Sequence, residues 1–237
     1  MIRIYFFMVA CLWLFSPVAY AQKAENKNAV NKGWEQISKE RIESYLSFLA
    51  SDALEGREAG KQGGLVAAEY IKAILKELGV KPFYDTYFQP FEAYSPIRER
   101  QVDFQVNPDS IANYKQAPAY RRLNLRNVVG YIEGQRKDEY VVIGAHYDHV
   151  GVDELLVGDQ IYNGADDNAS SVAVVLQTAK AYIAFGEQPL YSIIVAFWDG
   201  EEVNYLGSEY FVANFTQISN IKAYINLDMV GREGLLP

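Results

Sequence analysis

The spacing of apolar positions divides the chain before any chemistry enters. Residues 38–50 place Ile42, Tyr45, Leu46 and Leu49 on one helical face, behind Ser38, whose hydroxyl suits an N-cap. A second helical stripe, Ala67, Ala68, Ile71, Ile74, Leu75 and Leu78, ends at Gly79, a residue type that closes helices, with Pro82 soon after. Residues 83–123 are rich in Tyr, Phe, Gln and Pro without a clean period, and predict the irregular strands and loops of a connecting hairpin. Asn127–Glu133 and Tyr140–Ala145 predict strands, and the Gly134–Asp138 turn between them predicts an antiparallel pair. A third stripe, Val172, Val175, Leu176, Ala179 and Ile183, predicts a helix, and Tyr191–Trp198 and Ile221–Leu227 predict two more strands. Strands that are apolar throughout need cover on both faces. Helix alternating with strand therefore predicts an α/β fold, a mixed and largely parallel central sheet flanked by helices.

The N-terminus departs from this pattern. Arg3 precedes an apolar run from Ile4 to Phe15, a Pro17 break and Ala19-Tyr20-Ala21, which is the form of a signal peptide cleaved after Ala21. The run is short for a membrane span. The expected domains are a signal peptide at 1–21 and a single domain at 22–237, placed in the periplasm or outside the cell. The one cysteine, Cys11, falls inside the leader, so stability after export must come from a packed core or from metal. Half of all residues are apolar, enough for such a core. Formal net charge is −8, one unit more negative without Arg3, which argues against nucleic acid and anionic membranes as partners. Polar residues 22–33 read as a mobile lead-in.

Candidate chemistry gathers where the elements end. The strand Val141-Val142-Ile143-Gly144-Ala145 runs straight into His146-Tyr147-Asp148-His149, which holds both histidines of the chain. A buried strand fixes the side chain at its end, so His146 reads as a metal ligand. Asp148, two residues on, is the acid that such an imidazole uses to fix its tautomer. Two later strands end in Glu201-Glu202 and in Asp228, while Asp166 and Asp167 precede a helix. Singly these are helix-dipole or turn residues. Together they place at least five carboxylates and a histidine on one rim, a costly arrangement without cations. One histidine with several carboxylates suits zinc, with cobalt or manganese as substitutes, and carboxylates can bridge two ions.

At these residues the chain resembles the secreted di-zinc aminopeptidase family, whose relatives include glutamate carboxypeptidase-like peptidases and glutaminyl cyclases. The resemblance rests on Gly144-Ala145-His146-Tyr147-Asp148-His149-Val150-Gly151, Asn163-Gly164-Ala165-Asp166-Asp167-Asn168-Ala169-Ser170, Phe197-Trp198-Asp199-Gly200-Glu201-Glu202 with Leu206-Gly207-Ser208, and Asn226-Leu227-Asp228-Met229-Val230-Gly231. The Glu55-Gly56-Arg57 loop and the helix from Gly63 to Gly79 extend the likeness over most of residues 40–232.

The resemblance implies a zinc exopeptidase, most simply an aminopeptidase acting on peptides through a metal-bound hydroxide. It implies that His146 and Asp228 bind a first zinc, Asp166 bridges two ions, and Glu202 binds the second. It also implies Glu201 as general base, Asp148 as the residue orienting His146, and a cis peptide at Asp166–Asp167. One further zinc-binding histidine belongs beyond the position of Asp228, and His149, already accounted for by the first motif, is not read as its replacement. The expectation is thus a domain incomplete at its C-terminal end, with an apolar, unpaired sheet edge. Competing readings are a glutaminyl cyclase-like enzyme and a non-catalytic binding protein of the same fold.

Overall fold

The structure is a computed structural model that describes residues 30–97 and 102–232. The leader at 1–21, the cleavage site and most of the polar lead-in lie outside the described residues. The end of that lead-in, residues 30–34, is a helical turn rather than free chain. Gly33 is buried there, so close to the Ala181 carbonyl that a Cβ would stand 2.7 Å from its oxygen.

The described elements are helix α1 (Lys39–Leu49), a 3-10 turn (Asp52–Arg57), α2 (Gln62–Glu77), strands β1 (Lys81–Pro82) and β2 (Phe88–Pro96), and α3 (Pro108–Tyr114). They continue with β3 (Tyr120–Ile132), β4 (Arg136–His146), α4 (Ser171–Phe185), β5 (Tyr191–Trp198), α5 (Leu206–Asn214) and β6 (Ile221–Asn226). Ser38 caps α1 as its position predicts, its hydroxyl accepting the Arg41 N–H. Among the described residues no helix is long and apolar enough to cross a membrane.

Six strands form one mixed sheet in the order β1-β3-β5-β4-β6, with β2 paired to β3. β4 runs parallel to both β5 and β6, while β3 is antiparallel to β5. The expected β3–β4 pair is therefore absent, because β5 enters between them. The Gly134–Asp138 connection is not a tight hairpin but crosses the start of β5: Gln135 and Arg136 donate to the carbonyls of Pro189 and Leu190, and Gly134 donates to Ser192 Oγ. The segment after Pro82 is more regular than its sequence suggests, since β2 and the first half of β3 form a nine-residue antiparallel ladder, Phe88–Pro96 against Tyr120–Val128.

Strand alternation explains why β4 and β5 are apolar throughout. Ile193, Val195 and Phe197 of β5, with Ile143 and Ala145 of β4, pack under α1, α2 and α4. Ile194, Ala196 and Trp198, with Tyr140 and Val142, pack on the other face against Phe211 of α5 and Phe215. Both faces of β4 and β5 are thus covered. β6 pairs with β4 on one side and, among the described residues, with no strand on the other; Tyr224 and Ile225 are exposed there.

Candidate metal centre

Parallel strands deliver their C-terminal ends to one rim, where sites of α/β sheets collect. His146 is the last residue of β4, in register with Trp198, the last residue of β5. Gly200, at φ +71, turns the chain out of β5 and presents Glu201 and Glu202. The Leu227 N–H donates to the Gly144 carbonyl and so carries the line of β6 to Asp228.

The His146 ring is buried, with Nδ1 3.2 Å from the Asp148 carbonyl oxygen and 3.7 Å from its carboxylate. Nε2 faces a carboxylate on three sides: Asp167 Oδ1 at 3.2 Å, Asp228 Oδ1 at 3.6 Å and Glu201 Oε2 at 3.8 Å. Burial works to lower the His146 pKa, but the Asp148 hydrogen bond and charge, joined by Glu201 and Asp228, outweigh it and raise the pKa to about 9. The imidazole is thus set where a cation is wanted. The Asp148 carboxylate also anchors the loop after β5, since Oδ1 accepts the Glu201 N–H at 3.0 Å and Oδ2 accepts the Glu202 N–H at 3.2 Å. Burial raises the pKa of Glu201, and the negative charges of Asp148, Glu202 and Asp228 add to this against the opposing pull of His146.

Of the acidic pair, Asp167 meets His146 and Asp166 does not. Asp166 turns away from His146, accepting the Gly231 N–H at 2.8 Å, with Arg232 Nε 2.9 Å away. This corrects the assignment of Asp166 as the bridging residue. The cis peptide is likewise one residue further on, at Asp167–Asn168. The physical reason is the backbone of the turn: Gly164 takes φ +61, Asp167 and Asn168 leave helical geometry, and regular helix begins only at Ser171.

The structure also adds three residues. His149 Nδ1 stands 2.7 Å from Glu202 Oε1 and 4.0 Å from Asp167 Oδ2. Asn168, fully buried, brackets Asp228 by donating to the Leu227 carbonyl and accepting the Met229 N–H. Arg57, also fully buried, donates to four carbonyls, those of Tyr147 (2.8 Å), Leu49 (2.5 Å), Asn163 (2.6 Å) and Gly164 (2.9 Å). Burial lowers its pKa to about 10 while the charges of Asp148, Asp167 and Glu202 act the other way, so it stays a cation behind the acidic rim. Only the run of motif residues around these positions hinted at them, since none follows a helical or strand period.

The donors fit a divalent metal. Four nitrogen or oxygen donors about 2 Å from a tetrahedral zinc lie about 3.3 Å apart, and Nε2 of His146 stands 3.2 Å and 3.6 Å from its partners Asp167 and Asp228. Asp167 Oδ1 is buried without a hydrogen-bond donor, as an atom reserved for a cation is. His146, Asp167 and Asp228 form one such set, and His149, Asp167 and Glu202 another.

Residues 127–236 match the model of Peptidase family M28. Over that segment the chain is similar to the M28 peptidases. The M28 segment holds every residue of the two donor sets, while Arg57 lies ahead of it. Leupeptin-inactivating enzyme 1 of Streptomyces exfoliatus is 31% identical over 190 residues, covering 79% of this chain and 34% of that protein. A glutamate carboxypeptidase 2 homolog of Caenorhabditis elegans is 32% identical over 117 residues, 46% of this chain and 14% of that one. The chain therefore spans about a third or less of these two relatives. Among solved structures, an aminopeptidase from Aneurinibacillus sp. strain AM-1 matches with a TM-score of 0.60 at 15% identity, over 88% of this chain and 73% of that one. That likeness shows a shared fold.

Proposed function

We propose that this chain is an exported zinc-dependent exopeptidase that removes N-terminal residues from peptides, with two ions held around Asp167. One observation carries the reading: a single carboxylate, Asp167, offers Oδ1 to the His146 set and Oδ2 to the Glu202 side, with Glu201 beside both. Zinc held there would supply a Lewis acid and make water a nucleophile near neutral pH.

The protein's own groups do the rest. Glu201 is placed to hold a proton, and its raised pKa brings it toward the working pH of a general base. It accepts the proton of the attacking water and returns it to the departing amine. Asp148 fixes both glutamates through their main-chain N–H groups. The acidic rim attracts a free α-ammonium group. Arg57 is not placed to meet a terminal carboxylate, because it is fully buried and four of its five N–H groups are taken by carbonyls. Both features favour N-terminal over C-terminal trimming. The apolar leader from Ile4 to Phe15 supports export.

The test is hydrolysis of aminoacyl chromogenic amides by the zinc-loaded protein, with and without a blocked amine. Cleavage of the free-amine substrates alone is expected, and Glu201→Gln should lower kcat by about 10²- to 10⁴-fold while zinc content stays the same. Preferential release of C-terminal residues would overturn the N-terminal assignment. Ammonia release from N-terminal glutamine without cleavage would point to a cyclase, and retained zinc without turnover to a binding protein.

A further inference from the structure

The β3–β5 ladder stops at Val128 and Phe197, short of the loop from Asp199 to Gly207 that carries Glu201 and Glu202. Asn127, the next residue of β3, is fully buried and closes that loop with its side chain. Its Oδ1 accepts the Asp199 N–H at 3.1 Å, and its Nδ2 donates to the Gly207 carbonyl at 2.8 Å. We infer that Asn127 is a positioning residue for the proposed hydrolysis: it fastens the two ends of the loop and so sets where the Glu201 carboxylate stands. The inference rests on the peptidase reading above and adds to it a residue outside both donor sets.

The amide fits in one orientation. Asp199 presents a donor and Gly207 an acceptor, so a turned amide would set N–H against N–H and oxygen against oxygen in a buried place. Gln89, directly opposite Asn127 in β2, holds the working orientation, because its Oε1 also accepts from Nδ2, at 2.9 Å. The clasp draws the two loop ends together so closely that a Cβ at Gly207 would stand 2.2 Å from Asn127 Oδ1 and 2.5 Å from the Asp199 carbonyl oxygen.

The loop moves as one piece between these ends. The Glu201 carbonyl accepts the N–H groups of both Asn204 (3.1 Å) and Tyr205 (2.9 Å), which stand at φ +92 and +57, a region that side chains disfavour and that surrounding contacts must hold. Asp148 grips the middle of the loop, through the Glu201 and Glu202 N–H groups. Asn127 grips the ends. One anchor alone would let the loop pivot, and Glu201 Oε2, now 3.8 Å from His146 Nε2, would swing with it. A misplacement of about 1 Å costs roughly 10²-fold in rate.

Asn127→Leu keeps the volume and removes all three hydrogen bonds. In the zinc-loaded protein, assayed on an aminoacyl chromogenic amide well below the unfolding temperature, kcat should fall at least tenfold while KM stays within threefold. Amide hydrogen exchange should quicken at least tenfold across 199–207 and stay unchanged in β5, whereas a merely structural role would loosen both or lower Tm alone. Gln89→Leu should move both readouts the same way, kcat by at least threefold, and the double variant should be no slower than Asn127→Leu, since Gln89 acts through Asn127. A smaller loss of kcat in folded Asn127→Leu, or exchange that quickens in β5 as much as in the loop, would overturn the assignment. Where Asn127→Leu does not fold, Gln89→Leu decides alone by the same two readouts. Absence of turnover in the unaltered zinc-loaded chain would instead sink the peptidase reading, and exchange would still show whether Asn127 fastens the loop.

Discussion

Asp148 and Asp199 are both buried acids beside the loop after β5, yet they should respond unequally to the same change. Each oxygen of Asp148 takes one main-chain N–H, from Glu201 and from Glu202. Asp148→Asn turns one of these acceptors into a donor facing a donor, which costs about 1–3 kcal/mol. It also frees the two glutamates to shift, and misplacement by about 1 Å costs roughly 10²-fold in rate. Both losses should show, in thermal unfolding and in kcat. Asp199 accepts the Arg126 N–H through Oδ2, while burial and the charge of Asp148 raise its pKa. Asp199→Asn keeps that acceptor and removes the like charge, so stability should change by less than about 1 kcal/mol. At this scale the sequence shows His146, Glu201, Glu202 and Asp228, because a strand end fixes the direction in which the chain leaves. It cannot choose between Asp166 and Asp167, or bring in His149, because loop backbones such as Gly164 at φ +61 and the non-helical Asp167 and Asn168 decide which side chain turns inward.

Elements meet at this centre through one cation. Arg57 joins the end of α1 at Leu49, the loop after β4 at Tyr147, and the turn before α4 at Asn163 and Gly164. Arg57→Met keeps much of the volume but leaves four carbonyls without their donor, a loss of about 3 kcal/mol or more. Arg57→Lys should recover little of it, since one ammonium cannot reproduce a planar fork of five N–H groups. Denaturant unfolding of both variants measures this, and wild-type stability in the lysine variant would refute the role. The elements themselves are largely legible: α1, α2, α4 and β5 fall where apolar periodicity puts them, because each buries a stripe or a whole strand. Pairing is less legible. The Gly134–Asp138 turn suggests a β3–β4 hairpin, but the parallel crossover through α4 brings β5 beside β4, and a strand apolar on both faces gains most at the middle of the sheet.

Across the molecule, the acidic rim couples proton, metal and fold. In the metal-free protein the cation at the centre is a proton on His146, whose pKa rises from 6.5 to about 9 on folding. A pKa raised by folding stabilises the native state fully below about 6.5, and that contribution is lost as pH rises through about 9. The shift corresponds to something on the order of 3 kcal/mol. The chelated protein should therefore lose thermal stability between pH 6.5 and 9. Zinc should reverse the trend, since it binds the neutral imidazole and competes with the proton, so the gain in Tm on adding zinc should widen as pH rises. His146→Gln should flatten the first slope and abolish the second at the first metal position. Differential scanning calorimetry from pH 6 to 9.5, with chelator and with zinc, separates the outcomes. If the chelated protein shows no loss of Tm over that range, His146 carries no proton in the folded state, and the carboxylates of the rim must find their counter-charge elsewhere, as in the buried Arg57, which feels the charges of Asp148, Asp167 and Glu202.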